Sequence, residues 1–212
     1  MKDYQNKFIR IALEAEALIF GDFTLKSGRK SPYFFNAAKM LNTKFLAGLS
    51  ECYTKTIEDL DVSFDSIYGP AYKGIFLASI IGSSLGKSNL DIPVSFNRKE
   101  EKDHGEGGDI VGQLPSGNVL IVDDVISAGT AARESIEKIK SIGANPKIML
   151  VGLDRQEKGL SDVSAVTELE NDFGITVSSI VNLDLLISFV SDDPDFKEFK
   201  SDLEKYRDNW GA

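Results

Sequence analysis

The run Val119-Leu120-Ile121-Val122-Asp123-Asp124-Val125-Ile126-Ser127-Ala128-Gly129-Thr130-Ala131-Ala132 restricts this chain more than any other part of it. Four apolar, mostly β-branched residues, Val119 to Val122, predict a short buried strand. Asp123 and Asp124 stand at its carboxyl end. The small residues Ser127-Ala128-Gly129-Thr130 then open a helical pattern through Arg133, Glu134, Ile136, Lys138 and Ile139 that stops near Gly143. A strand, a small-residue loop and a helix start aim backbone N–H groups and the positive end of a helix dipole at one point, which suits a phosphate. The glycine spacings of the Walker and dinucleotide loops do not occur in this run. Two carboxylates beside a phosphate cradle suit a sugar whose hydroxyls donate hydrogen bonds to them.

The remaining chain alternates strands and helices around this unit. Residues 4–20 carry Phe8, Ile11, Ala12, Ala15, Leu18 and Ile19 at helical spacing. Residues 23–35, Phe-Thr-Leu-Lys-Ser-Gly-Arg-Lys-Ser-Pro-Tyr-Phe-Phe, predict a hairpin around a basic Gly/Ser turn. A helix over 43–60 leads to a strand at 66–68, a turn Gly69-Pro70-Ala71-Tyr72-Lys73-Gly74 and a helix over about 75–85. This second strand–loop–helix unit gains meaning beside the first, because ligands of open α/β sheets bind at the carboxyl ends of strands. A strand at 92–96 precedes residues 97–109, which hold no apolar residue, three glycines, three basic residues, five acidic ones and the chain's only histidine, His104. That composition predicts a surface loop hinged on glycines, able to close over a substrate. Further strands are expected at 148–153 and 175–181, with helices at about 161–173, 183–190 and 195–208. The pattern predicts an α/β fold, a largely parallel sheet with helices on both faces. One principal domain spans 1–212, with about 1–40 as a small cap, or hood, of helix and hairpin, about 60–182 as the core, and 97–110 as the mobile loop.

Composition excludes several classes. A net charge of −9 opposes binding to nucleic-acid phosphates, so an anionic ligand has to be held by local basic clusters. One cysteine and one histidine exclude an intrachain disulfide and a Cys/His zinc site. No apolar run approaches the roughly 20 residues of a membrane span, and the amino-terminus lacks a signal-peptide core, so a cytoplasmic location is expected.

Strand, Asp-Asp and Ser-Ala-Gly-Thr loop together resemble the phosphoribosyl-pyrophosphate (PRPP) motif of type I phosphoribosyltransferases. With residues 23–35, 69–74, Asn-Arg-Lys-Glu-x-Lys-Asp-His-Gly-Glu-Gly-Gly at 97–108 and Asp-Arg-Gln-Glu at 154–157, the chain resembles the orotate phosphoribosyltransferase family from end to end. Other phosphoribosyltransferases share the PRPP loop but neither the hairpin nor the His-containing loop. The resemblance implies transfer of the phosphoribosyl group from PRPP to orotate, with Mg²⁺ riding on PRPP and no direct protein ligand to the metal. It implies that Asp123 and Asp124 hold the ribose hydroxyls and that Val125, Ile126, Ser127, Ala128, Gly129, Thr130 and Ala131 cradle the 5′-phosphate. Lys73, Tyr72, Arg98, Lys99, Lys102, His104 and Lys26 complete the PRPP site. Catalysis falls to Lys99, Lys102, His104 and Asp124. Lys26, Phe34, Phe35, Ser127 and Arg155 would bind orotate, cations to its carboxylate and an aromatic ring to its face. The family works as a homodimer in which the 97–110 loop serves the neighbouring subunit's site, with no nucleic-acid or membrane partner. Ser127 departs from the threonine common in the family; the hydroxyl survives and a methyl is lost. Two other readings share the PRPP loop: a transferase for another nucleobase, and a PRPP-sensing regulator.

Overall fold

The structure is a computed structural model that describes residues 1–25, 28–102 and 108–212, with the backbone alone for 99–102 and 108. Lys26 and His104, two expected site residues, therefore lie outside the described residues, and of Lys99 and Lys102 only the backbone is described.

Six strands form the main sheet. In chain order they are β3 (Ser66–Gly69), β4 (Val94–Lys102), β5 (Gly108–Gly112), β6 (Asn118–Ile126), β7 (Asn145–Asp154) and β8 (Thr176–Asn182). Their spatial order is β5-β4-β3-β6-β7-β8, and every pairing is parallel except β4 with β5. β6 lies inside the sheet, hydrogen-bonded to β3 and β7, which explains its unbroken apolar run. Side chains of a strand alternate between faces. Leu120 and Val122 accordingly enter one core with Phe8, Leu49, Leu77 and Ile81, while Val119 and Ile121 enter the other with Ile136, Ile139 and Leu169. The first face carries α1 (Asp3–Glu14), α2 (Thr43–Asp59) and α3 (Lys73–Gly86); the second carries α4 (Thr130–Ser141) and α5 (Ala165–Phe173). Two further helices, α6 (Leu183–Asp192) and α7 (Lys200–Trp210), join the first core through Leu186, Phe189, Leu203 and Tyr206. Among the described residues, no helix is long and apolar enough to cross a membrane.

A separate antiparallel pair, β1 (Leu18–Thr24) and β2 (Lys30–Phe35), follows α1. The helix expected over 4–20 thus ends at Glu14. Glu16 takes a φ of 53°, Ala17 accepts a hydrogen bond from the Asn36 amide, and Leu18 pairs with Phe35. Leu18 and Ile19 fit the helical spacing of the preceding residues, and the pairing with β2 overrides it.

The expected loop at 97–110 needs a second correction. β4 continues to Lys102 and β5 returns from Gly108, so much of that segment is a two-stranded ribbon on the sheet edge. Pairing of Asn97 with Ile110 and of Lys102 with Gly108 holds its two ends, which permits extended structure in a stretch too polar to pack in a core. Residues 103–107 lie outside the description. Smaller shifts follow local caps. The helix expected from 161 begins at Ala165, where Ser164 Oγ accepts from the Thr167 amide, and the last helix is preceded by a 3-10 turn at Lys197–Phe199.

Candidate active site

β6 extends beyond its apolar run to Ile126, so Asp123 and Asp124 are strand residues and inherit its alternation. Asp123 lines a 350 Å³ cavity beside α4, together with Glu134 and Lys138. Asp124, 5 % exposed, turns to the α3 face, where it accepts a 2.6 Å hydrogen bond from Lys73 Nζ. Tyr53, buried under the sheet, donates its hydroxyl to the Asp123 carbonyl at 2.9 Å and holds this stretch of backbone. Burial, followed by the neighbouring charge of Asp124, pushes the Asp123 carboxyl up to about 7.

That shift has a sign that can be measured. Between the unfolded value of 3.8 and the native value near 7, the native protein keeps a proton that the unfolded chain releases. Stability drawn from Asp123 is therefore lost as pH rises through this window, and the loss levels off above it. Asp123→Asn, which cannot ionise, is expected to raise Tm relative to the parent at pH 8 and to show little difference at pH 4. Melting curves that run parallel for the two proteins from pH 4 to 8 would rule this out.

After Ile126 the chain turns through Ser127 and Ala128 to Gly129, whose φ of +80° sets the start of α4. A β-carbon there would be held in the left-handed region and 3.4 Å from Ala165, so glycine fits the corner. Residues 123 and 125–132, with Met149, enclose a 250 Å³ hollow at the amino-terminus of α4, a shape and polarity suited to a phosphate.

The turn after β3 approaches from the side. Ala71 and Tyr72 are joined by a cis peptide, and the Ala71 amide donates to Asn97 Oδ1 of β4 at 2.9 Å. Lys73 opens α3 here, and Tyr72 is largely exposed. Arg98 borders the same 350 Å³ cavity as Asp123, and its buried Nη1 has no hydrogen-bond partner among the described residues. A buried, unpaired guanidinium nitrogen is a natural seat for an anion.

A cavity of about 620 Å³ opens between this edge and the β1–β2 hairpin. Lys73, Val125, Ser127 and Ala128 form its floor, and Phe34, Arg29 and Arg155 form its walls. Phe34 is 40 % exposed and stacks near Phe23, whereas Phe35 reaches the cavity from the core, packed against Phe8. Arg155 is 4 % exposed and lies over the Tyr33 ring at 4.2 Å. Its Nε donates to Glu157 Oε1 at 2.5 Å. Arg29, read from sequence as a turn charge, donates to Glu157 Oε2 at 2.7 Å and lies over Trp210. Glu157 lines the cavity, while Tyr206 and Trp210 stand behind it against Arg155 and Arg29; no local pattern announces them, and the only hint was Glu157 closing the 154–157 match.

A carboxylate pair, a hollow at a helix amino-terminus and a cation-walled cavity thus meet at the carboxyl edge of one sheet. The sequence model of the phosphoribosyl transferase domain family matches residues 38–180. Orotate phosphoribosyltransferases of Marinobacter nauticus and Pseudomonas putida are each 49 % identical to the chain over 212 residues, covering all of both sequences. The crystal structure of the Francisella tularensis orotate phosphoribosyltransferase superposes with a TM-score of 0.83 at 40 % identity, covering 97 % of this chain and 99 % of that one. With likeness of this extent in sequence and in fold, the chain belongs to the orotate phosphoribosyltransferase family.

Proposed function

We propose that this site transfers the phosphoribosyl group of PRPP to orotate, giving orotidine 5′-monophosphate and pyrophosphate in pyrimidine nucleotide biosynthesis. A ring nitrogen of orotate gives up its proton to solvent and forms the new bond to the anomeric carbon as the bond to pyrophosphate breaks, with positive charge building on the ribose on the way. Asp123 and Asp124 grip the ribose hydroxyls from opposite faces of the sheet, and the hollow at 125–131 fixes the 5′-phosphate. Lys73 and Arg98, with Tyr72 at the rim, receive the leaving pyrophosphate, and Lys99, Lys102 and His104 of a second subunit join them in a homodimer. Lys26 and Arg155 take the orotate carboxylate, Phe34 and Phe35 lie against the ring, and Ser127 meets its edge. The hard carboxylate oxygens of Asp123 and Asp124 suit the neighbourhood of Mg²⁺, which would accompany PRPP and neutralise pyrophosphate charge.

The observation that carries this reading is the 620 Å³ cavity, whose floor is the phosphate loop and whose wall holds a buried arginine. Neutral bases have no use for such a cation. Pyrophosphate release from PRPP and Mg²⁺ is expected with orotate and not with uracil, adenine or hypoxanthine. Release with another base in place of orotate would overturn the base assignment, and PRPP binding without release for any of the four would point to a regulator.

A further inference from the structure

Arg155 is held by more than its ion pair. Its Nη2 donates to Ser31 Oγ of β2 and to the Tyr206 hydroxyl of α7, both at 2.9 Å. The Tyr206 hydroxyl in turn donates to Glu157 Oε1 at 2.5 Å, the same oxygen that accepts from Arg155 Nε. Ser31 Oγ donates to the Tyr33 carbonyl at 2.6 Å, so its lone pairs are turned toward the arginine. The Tyr33 ring closes one face of the guanidinium and itself packs edge-on against Tyr206, with centroids 5.9 Å apart. Burial pushes the Tyr206 phenol above its ordinary value, which keeps it protonated and able to donate. Nε and Nη2 are thus used inside the protein. Nη1 is the guanidinium nitrogen with no hydrogen-bond partner among the described residues, and Arg155 lines the cavity.

We propose that Glu157, Tyr206 and Ser31 are positioning residues that hold the Arg155 guanidinium so that Nη1 faces the carboxylate of the base substrate. The proposal rests on the orotate reading given above and extends it to residues that touch no substrate. A guanidinium recognises a carboxylate through the direction of its N–H bonds, so an arginine free to rotate loses selectivity before it loses charge. Glu157 extends the frame outward: its second oxygen holds Arg29, a further cation of the cavity wall. Two carboxylate oxygens thereby set the relation between two arginines.

Tyr206→Phe removes one oxygen and keeps the ring, and it is the deciding variant, set beside Arg155→Met. The expected result is an orotate KM raised about tenfold in Tyr206→Phe, as for a lost hydrogen bond to a charged group, with kcat and the PRPP KM within about twofold of the parent. The ratio of the orotate KM to the PRPP KM should rise with it, because PRPP has no carboxylate for Arg155 to read. If Arg155→Met raises the orotate KM and Tyr206→Phe leaves KM and the ratio unchanged, the positioning role is overturned and the orotate reading stands. If Arg155→Met itself leaves the orotate KM unchanged, the orotate reading of this pocket fails first. Loss of kcat and of both KM values together in Tyr206→Phe would mark a structural role and overturn the proposal. Should Tyr206→Phe not fold, Ser31→Ala removes the other Nη2 acceptor and carries the same expectations.

Discussion

Asp124→Asn is expected to lower kcat/KM for PRPP by about 10²–10³-fold, since each charge-assisted hydrogen bond lost removes about 1.5–3 kcal/mol. The variant keeps the shape of the side chain and removes its charge. In the parent, Asp124 is buried and bonded to Lys73 at 2.6 Å, near the carboxyl end of β6. Asparagine presents one carbonyl oxygen to the hydroxyls and leaves the lysine without its anion. Folding should suffer little, because the Lys73 side chain is more than a third exposed and can turn to water. Steady-state kinetics with a melting curve decide the matter; kcat/KM within tenfold of the parent would remove Asp124 from the machinery. The same variant tests whether the site is shared between subunits. Mixed with Lys99→Ala subunits, it should form hybrid dimers with one intact site of two, and activity no greater than the sum of the two parents would argue that each subunit works alone.

The second large effect is on stability. A β-carbon at Gly74 would stand 2.6 Å from Pro70 Cδ, 2.7 Å from the Gly69 carbonyl carbon and 2.8 Å from the Val122 oxygen. All three belong to backbone or a proline ring, and none is the free end of a side chain that could swing away. Gly74→Ala is therefore expected to destabilise by about 3 kcal/mol, the upper end for overpacking, and to lower Tm by roughly 6–12 °C in a chain of this size. Gly86, at the far end of the same helix and with nothing within 4 Å of its β-carbon, provides the contrast. Alanine there should be neutral or stabilising by up to about 1 kcal/mol, since alanine is the better helix former. Equal melting temperatures for the two variants would mean that the turn after β3 yields despite its close packing.

Much of the architecture was legible because it is written in local pattern. The apolar run of β6, the small residues that follow it and the alternation of strands with amphipathic helices all lie within windows of a dozen residues, where periodicity speaks. The misread places are those where two patterns overlap or none exists. Leu18 and Ile19 satisfy helical spacing and strand pairing at once, and only contact with Phe34 and Phe35 decides between them. The β4–β5 ribbon needs no apolar face, so its residues read as loop. The wall around Arg155 was illegible for another reason. Ser31 lies 124 residues from its arginine and Tyr206 lies 51 away, so neither contact leaves a mark on nearby sequence. The same holds for Arg29, which meets Glu157 across 128 residues. Asp123 and Asp124 were recognised together, yet their division between the two faces of the sheet follows only once the strand is known to run past them.

The seam made by α7 carries a consequence for the order in which the molecule can be assembled. Lys158 donates its amide to the Trp210 carbonyl, and the Ala212 amide reaches back to Gln156, so residues beyond 205 close the wall that β7 and the hairpin begin. Chains are made from the amino-terminus, and early parts fold first. A nascent chain that has emerged through β8 already holds every strand of the sheet and the whole phosphate loop, while Arg155 still lacks its tyrosine. On the ribosome, the strand and loop that carry Asp123 to Ala131 can therefore be finished before the frame that closes around Arg155.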